Sequence, residues 1–403
     1  RQGFTIPLLI GGATTSKIHT AVKIAPEYHH PVIYVKDASQ SVSVVSNLLS
    51  SDKQEYIKSV EEEYEKIRER YNQKEEKEYI SLKEARANRF SSDWSKVPIT
   101  VPHQLGVHKI IDFSVEKLID WIDWRFFFYM WGIKGVYPDI LKDKKNGGQA
   151  KKLFQDAGKM LDDIVKNKMM QANAVYGIWP SNSQGDDVVL FSEELRKKEI
   201  GRLCHLRQQQ KKSAGTPNYC LSDFVAPVDS GRKDYVGAFV VTAGIGIEKW
   251  LSKYSKDGDD YKTILLKAIA DRLGEAFAEY LHKKIRTEIW GYVPDENISI
   301  EKMFNIEYKG IRPASGYPSC PDHHEKKNLF KLLEAEKIGV HLTGHFAMYP
   351  TASVCGEYFA SPDSFYFGVD KIGRDQVADY ADRKGISVEE VEKFIPVNLN
   401  YRK

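Results

Sequence analysis

The sequence is short of several things, and each shortage excludes something. Cysteine occurs only four times in 403 residues, at Cys204, Cys220, Cys320 and Cys355. No two form a C-x-x-C pair, and their spacing matches no zinc-ligand pattern. A disulfide framework is therefore excluded, and free thiols point to a reducing compartment, the cytoplasm. A surplus of one charge is also missing. Lys and Arg number 59 against 56 Asp and Glu, for a formal charge of +3. A nucleic-acid partner would call for a strongly basic face, so none is expected. Long apolar runs are missing too. "IPLLI" and "VGAFVV" are far too short to span a bilayer, so no membrane partner is expected. The opening "RQGFTIP" has neither initiator methionine nor signal peptide. The chain is therefore expected to be part of a longer one.

What is present suits a soluble globular protein. Hydrophobic residues make up 42% and aromatics 12%, enough for the cores of two domains at this length. Residues 1–50 read as a piece of α/β fold. "FTIPLLI" suits a buried strand, "GGATTSK" a loop and "IHTAVKIAPEY" a helix. "PVIYV" then reads as a second strand before a helix opening at Asp37 or Ser39. This alternation predicts a parallel sheet. Two strands do not make a stable doubly wound domain, so the rest of it is expected upstream.

Residues 51–75 are dominated by Glu, Lys and Arg with interspersed tyrosines, as in "EEEYEKIRERY". So little apolar content predicts a solvated helical linker, with the domain boundary near residue 76. Residues 76–403 mix helices and strands without βαβ alternation, which predicts α+β with a central antiparallel sheet and surrounding helices. "LLKAIADRLGEAFAEYLHKKIRTEIW" carries apolar residues at helical spacing and predicts a long core-facing helix. "KDYVGAFVVTAG" predicts a strand. "RDQVADYADRKGISVEEVEKFI" predicts two helices with a break near Gly385.

Three stretches could carry chemistry. "GGATTSK" places a glycine pair between strand and helix, where a backbone can approach a phosphate. It lacks the third glycine of a dinucleotide fingerprint and a downstream acidic partner, so a plain turn stands beside that reading and a nucleotide-dependent oxidoreductase is disfavoured. In "WIDWRFFFYMW", Asp123 sits among aromatics, so its carboxylate needs a structural cation or a cationic ligand. In "RPASGYPSCP", Pro313, Pro318 and Pro321 stiffen a backbone that Ala314, Ser315 and Gly316 leave bare. Arg312 can clamp a carboxylate there, and Tyr317 can set a ring beside a base or a sulfonium. A proline-rich surface loop with a salt-bridged arginine is the alternative. His323 and His324 lack a third metal ligand nearby and read as solvated loop or helix-start residues. His282 reads as a surface or satisfied histidine rather than a base. No Ser–His–Asp order and no H-E-x-x-H helix is present.

Several ordered blocks carry a resemblance. "IPLLIGGATTSKIHTAVKIAPEY", "VIYVKDAS", "YCLSDFVAP", "GIRPASGYPSCPDH", "FAMYPTASVCGEYF" and "GRDQVADYADRKG" together resemble the cobalamin-dependent methionine synthase family, over the whole length. The resemblance implies that residues 1–50 are the C-terminal part of a cobalamin-binding domain, Rossmann-like, and that residues 76–403 are an activation domain binding S-adenosylmethionine (AdoMet). Arg312, Gly316 and Tyr317 match the family's R-x-x-x-G-Y signature. By that likeness Arg312 takes the ligand's carboxylate and Asp123 its ammonium, while the backbone at Ala314 and Gly316 holds the adenosine. Tyr366 and Phe367 match a contact position where the family often has two tyrosines. Glu275 matches a carboxylate near the ligand. Gly11, Gly12 and Ala38 match positions lining cobalamin.

The implied activity is a methyltransferase that carries methyl from methyltetrahydrofolate to homocysteine on cobalamin (methylcobalamin). This region would support reductive methylation of inactive Co(II) with an electron from a flavodoxin-type donor. The implied partners are the upstream cobalamin, folate and homocysteine domains. The family's axial-histidine motif D-x-H-x-x-G and its zinc site are absent from these residues. This stretch is accordingly not expected to complete turnover alone. An AdoMet-binding and docking module without turnover is the alternative.

Overall fold

The computed structural model describes residues 6–11, 16–35, 38–72 and 77–401. The chain divides into two compact units, Arg1–Glu78 and Tyr79–Lys403.

In the first unit, β1 (Leu8–Gly11) and β2 (Val32–Val35) pair in parallel, with Leu8 opposite Val32. A parallel pair needs a crossover, and consecutive helical turns over Lys17–His19, Thr20–Ile24 and Ala25–Glu27 supply it. Ser16 caps them by accepting from the His19 N–H at 3.1 Å. Helix Ala38–Leu49 follows β2, opening at Ala38 between the two expected starts. Gly11 ends β1, where a Cβ would meet the Val35 carbonyl oxygen at 2.6 Å. Gly12 lies outside the described residues.

The charged tract expected as a linker is the helix Lys53–Asn72. It lays one face on its own unit. Tyr64 is buried, and its hydroxyl accepts from the Tyr34 N–H at 2.8 Å. Arg68 donates to the Ala21 carbonyl at 3.1 Å. Tyr56, Ile57 and Val60 pack on a small core of Ile33, Val35, Val44 and Leu48.

The second unit is built on one antiparallel sheet. Its strands are β3 (Gly106–Phe113), β4 (Gln171–Gln184), β5 (Asp187–Phe191), β6 (Glu199–Cys204), β7 (Asp234–Ile245) and, after the short hairpin of β8 (His341–Leu342) and β9 (Met348–Tyr349), β10 (Ser353–Tyr358). The order is β10-β7-β4-β5-β6, with β3 added beside β4. Strand β7 shows why the sheet has two covered faces. Nearly every residue in it is buried, and side chains alternate across a strand. Phe239, Val241 and Ala243 enter one core with Leu266, Leu273, Phe277 and Leu281 of the long helix Asp260–Lys284. Val236, Ala238 and Val240 enter the other core, with Leu329 and Leu333 of helix Glu325–Leu333 and Val377 and Tyr380 of helix Arg374–Lys384. Helices therefore cover both faces of the antiparallel sheet.

Helix Arg374–Lys384 ends where Gly385 turns left-handed, and Val388–Phe394 follows behind a Ser387 capping box, matching the expected break. No described helix is long and apolar enough to cross a membrane.

Candidate functional site

The site begins with a polar stripe on the long helix. Arg272, Glu275, Glu279, His282 and Arg286 recur at steps of three and four, so they share one side of the helix and its π-turn continuation Ile285–Ile289. The opposite side holds the apolar core. A stripe this charged inside a sheet-packed helix needs partners: Asp271 pairs with Arg272, Glu296 with Arg286, and Arg312 with Glu279.

Arg312 donates from Nη2 to the Glu279 carboxylate, and each side chain is only 15% exposed. Burial alone would pull the guanidinium's pKa down; the Glu279 charge overrides it and holds the group well above its ordinary value. The Arg312 Nε is buried and has no partner. The Arg312 backbone N–H donates to the Tyr366 hydroxyl at 2.9 Å, and Tyr366 lies 3.4 Å, oxygen to oxygen, from Tyr308. Tyr308 in turn lies under the guanidinium of Arg286, 4.4 Å from its ring centre. Arg286 is buried and held by Glu296 through two contacts of 2.6 Å. Glu275 stands one turn before Glu279. Burial raises its carboxyl pKa, against the pull of Arg312 and Arg272.

The backbone beyond Arg312 is fixed from behind. The Pro313 carbonyl accepts from the Glu357 N–H at 2.9 Å. Gly356 makes that approach possible, because a Cβ there would stand 2.6 Å from the Pro313 oxygen. Tyr317 and Cys320 close a tight turn, with Gly316 N–H donating to the Cys320 carbonyl at 2.7 Å. Gly316 has φ +96°, and a Cβ would come within 1.9 Å of the His323 ring. Only glycine fits. The N–H groups of Ala314 and Ser315 have no protein partner among the described residues. Tyr317 is exposed at 61%. Burial raises its pKa first, with Glu275 and Asp271 adding to that.

The expected residues fall into three groups. Arg312, Ala314, Gly316, Tyr317, Tyr366 and Glu275 gather around this stripe. Asp123 caps helix Trp124–Met130, accepting from the Arg125 N–H at 3.0 Å, and is gripped by the Arg125 guanidinium at 2.9 and 2.7 Å. Its helix reaches the stripe through Phe126, whose ring lies 5.8 Å from the Arg272 guanidinium. Phe367 turns inward: its ring packs on Tyr219 and Phe224, and Ser319 engages both its N–H and its C=O. It forms the wall rather than the open face.

The histidines differ from expectation only in part: His324 is a helix-start residue, the N-cap of Glu325–Leu333. His282 is fully buried, stacked at 5.3 Å on Tyr358 and edge-on to Tyr308. Burial lowers its pKa well below the ordinary value, and Arg286 and Arg312 lower it further, so it is neutral. His323 is not free in solvent either; it fills the space left by Gly316 and meets Lys326 at 3.0 Å. Sequence reasoning passed over Glu279 and Tyr308. Glu279 stands in the same "GEAFAE" as Glu275, one turn on, and that spacing was the available signal. Among the described residues no group of three His, Cys, Asp or Glu is arranged to hold a metal ion.

Residues 114–385 match the family described as vitamin B12 dependent methionine synthase, activation domain. That span includes the polar stripe, Asp123, the Arg312 segment and Tyr366. This chain belongs to that family. Among solved structures, one described as the MetH reactivation domain bound to AdoHcy is 47% identical, with a TM-score of 0.79; the match covers 80% of this chain and 99% of that one. The activation-domain family is part of a methyltransferase, and its other domains lie in the same polypeptide. The antiparallel sheet with its flanking helices is the fold of that reactivation domain.

Proposed function

We propose that this chain binds AdoMet along residues 312–317 and presents it to cobalamin for reductive methylation. The observation that carries the reading is Arg312, a buried guanidinium at a bare, pre-stiffened backbone, in a chain 47% identical to a domain that binds AdoHcy.

The residues fit such a ligand. Arg312 keeps a buried Nε without a partner, which a carboxylate would satisfy. The unpartnered N–H groups of Ala314 and Ser315 suit the acceptors of an adenosine, and Gly316 supplies the positive φ that the turn beyond them requires. The Tyr317 ring is free to cover it, and Tyr366 holds Arg312 in place. Asp123 would take the ammonium, which asks Arg125 to share or release it. Glu275, half-buried and beside Arg312, offers a second carboxyl group to a cationic ligand. When bound, AdoMet supplies an electrophilic methyl group on a sulfonium that leaves readily. The chain needs no acid or base for that transfer. It needs to hold the ligand in line, and the fixed backbone does so.

In the first unit, Gly11 and Ala38 would line cobalamin, with Gly12 beyond the described residues. The chain lacks the D-x-H-x-x-G motif, so methionine formation by these residues alone is not part of the proposal. A flavodoxin-type donor would supply the electron in the cytoplasm.

Isothermal titration with AdoHcy and AdoMet tests this. Binding to the parent protein and its loss in Arg312→Ala supports the reading. No heat from either ligand up to about 1 mM overturns it.

A further inference from the structure

A clamp is useful only if the arginine points the right way before the ligand arrives. Arginine has many rotamers to give up, so a loose one binds a carboxylate poorly. What holds Arg312 is therefore part of the site.

Two groups hold it, from different elements. The Tyr366 hydroxyl fixes its backbone N–H. Glu279 grips Nη2 from the long helix. Glu279 is itself on a rigid support. It sits between Glu275 and His282 on the stripe, and the helix behind it is anchored by Phe277 and Leu281 in the core. Farther along, Arg286 is locked to Glu296 and stacked on Tyr308. Tyr308 meets Tyr366 and closes a continuous chain of contacts back to Arg312. The contact to Glu279 uses one amino group and leaves the buried Nε without a partner, for a second carboxylate.

We infer that Glu279 is a positioning residue for the AdoMet site: it holds the Arg312 guanidinium in the orientation that receives the ligand's carboxylate, without touching the ligand itself. This rests on the proposed function above. A second carboxylate near the first is tolerated because the ligand brings its own cations, an ammonium and, in AdoMet, a sulfonium. Pre-orientation then outweighs the repulsion between Glu279 and the incoming carboxylate.

The test pairs two ligands with two variants. AdoHcy carries the carboxylate; 5′-methylthioadenosine keeps the adenosine and thioether but lacks the amino-acid end. Titration calorimetry is run on the parent, Glu279→Gln and Glu279→Ala. Glutamine keeps an acceptor for Nη2 and alanine keeps none. The expected result is AdoHcy binding weakened about threefold by Gln and about thirtyfold by Ala, with 5′-methylthioadenosine affinity unchanged in both. Unchanged or tighter AdoHcy binding in Glu279→Ala overturns the inference. So does an equal loss for both ligands, which marks Glu279 as merely structural. Retained 5′-methylthioadenosine binding also reports that the variant has folded; if Ala fails to fold, the glutamine variant decides. Failure of the parent to bind AdoHcy would instead sink the proposed function, so the two failures are distinct.

Discussion

The Nε2 of His205 lies 2.8 Å from an Oε of Glu357, and both side chains are all but sealed from solvent. The pair stands directly behind the Arg312 segment, because the Glu357 N–H carries the Pro313 carbonyl. Burial alone would lower the imidazole pKa. The Glu357 charge and hydrogen bond reverse this, with Glu325 and Asp187 adding to them, and the net shift is upward. A raised folded pKa means the folded state binds the proton more tightly. The stability it contributes is complete below the unfolded value of about 6.5 and disappears as pH rises through the folded value. The stability gap between the parent and His205→Asn should therefore shrink as pH rises above about 6.5. Denaturant titrations at several pH values measure it. A gap that widens with pH would show that His205 is neutral. The paired difference is needed because His282 works in the opposite sense: its lowered pKa costs stability as pH falls.

Arg312→Ala should weaken AdoHcy by roughly 1.5–3 kcal/mol, the loss of a charge-assisted contact. Calorimetry reads it. Unchanged affinity would remove Arg312 from the site.

Gly316→Ala meets two obstacles, the positive φ and the His323 ring. Each is expected to cost about 1–2 kcal/mol. Adding His323→Ala should recover the steric part and leave the backbone part. Thermal melts of the single and double variants separate the two. Full recovery would show that the left-handed backbone is unstrained.

Arg207 is almost fully buried and is paired with Asp186 and Asp223 at 2.7 Å each. Arg207→Met leaves the buried Asp223 without a cation, while Asp186 keeps only Arg86. Such a break costs about 3–5 kcal/mol, which a shift in the denaturation midpoint would reveal. A loss below about 1 kcal/mol would mean that water reaches the pair.

All four cysteines are buried, and burial raises every thiol pKa, for Cys220 and Cys355 to about 12. Iodoacetamide at pH 8 should label none in the native protein and all four after unfolding. Rapid native labelling of Cys320 would show that the turn behind Tyr317 opens.

The sequence by itself determined the local elements. Hydrophobic spacing placed the long helix, β7 and the two helices around Gly385, because a helix or strand reads its own period. Three prolines and a bare Ala-Ser-Gly marked the stiff segment after Arg312, since those properties belong to the residues themselves. Only the tertiary structure decided the partners. That Glu279 would meet Arg312, that Arg125 would hold Asp123, that His282 would be buried and Phe367 turned inward all depend on how elements far apart in the chain cross. Tyr64 makes the same point in the first unit: its hydroxyl accepts from the N–H of Tyr34, thirty residues away in the chain. A carboxylate's charge is written in the sequence, but its neighbour is set by the packing of distant segments, and that packing decides whether the charge binds a ligand or another side chain.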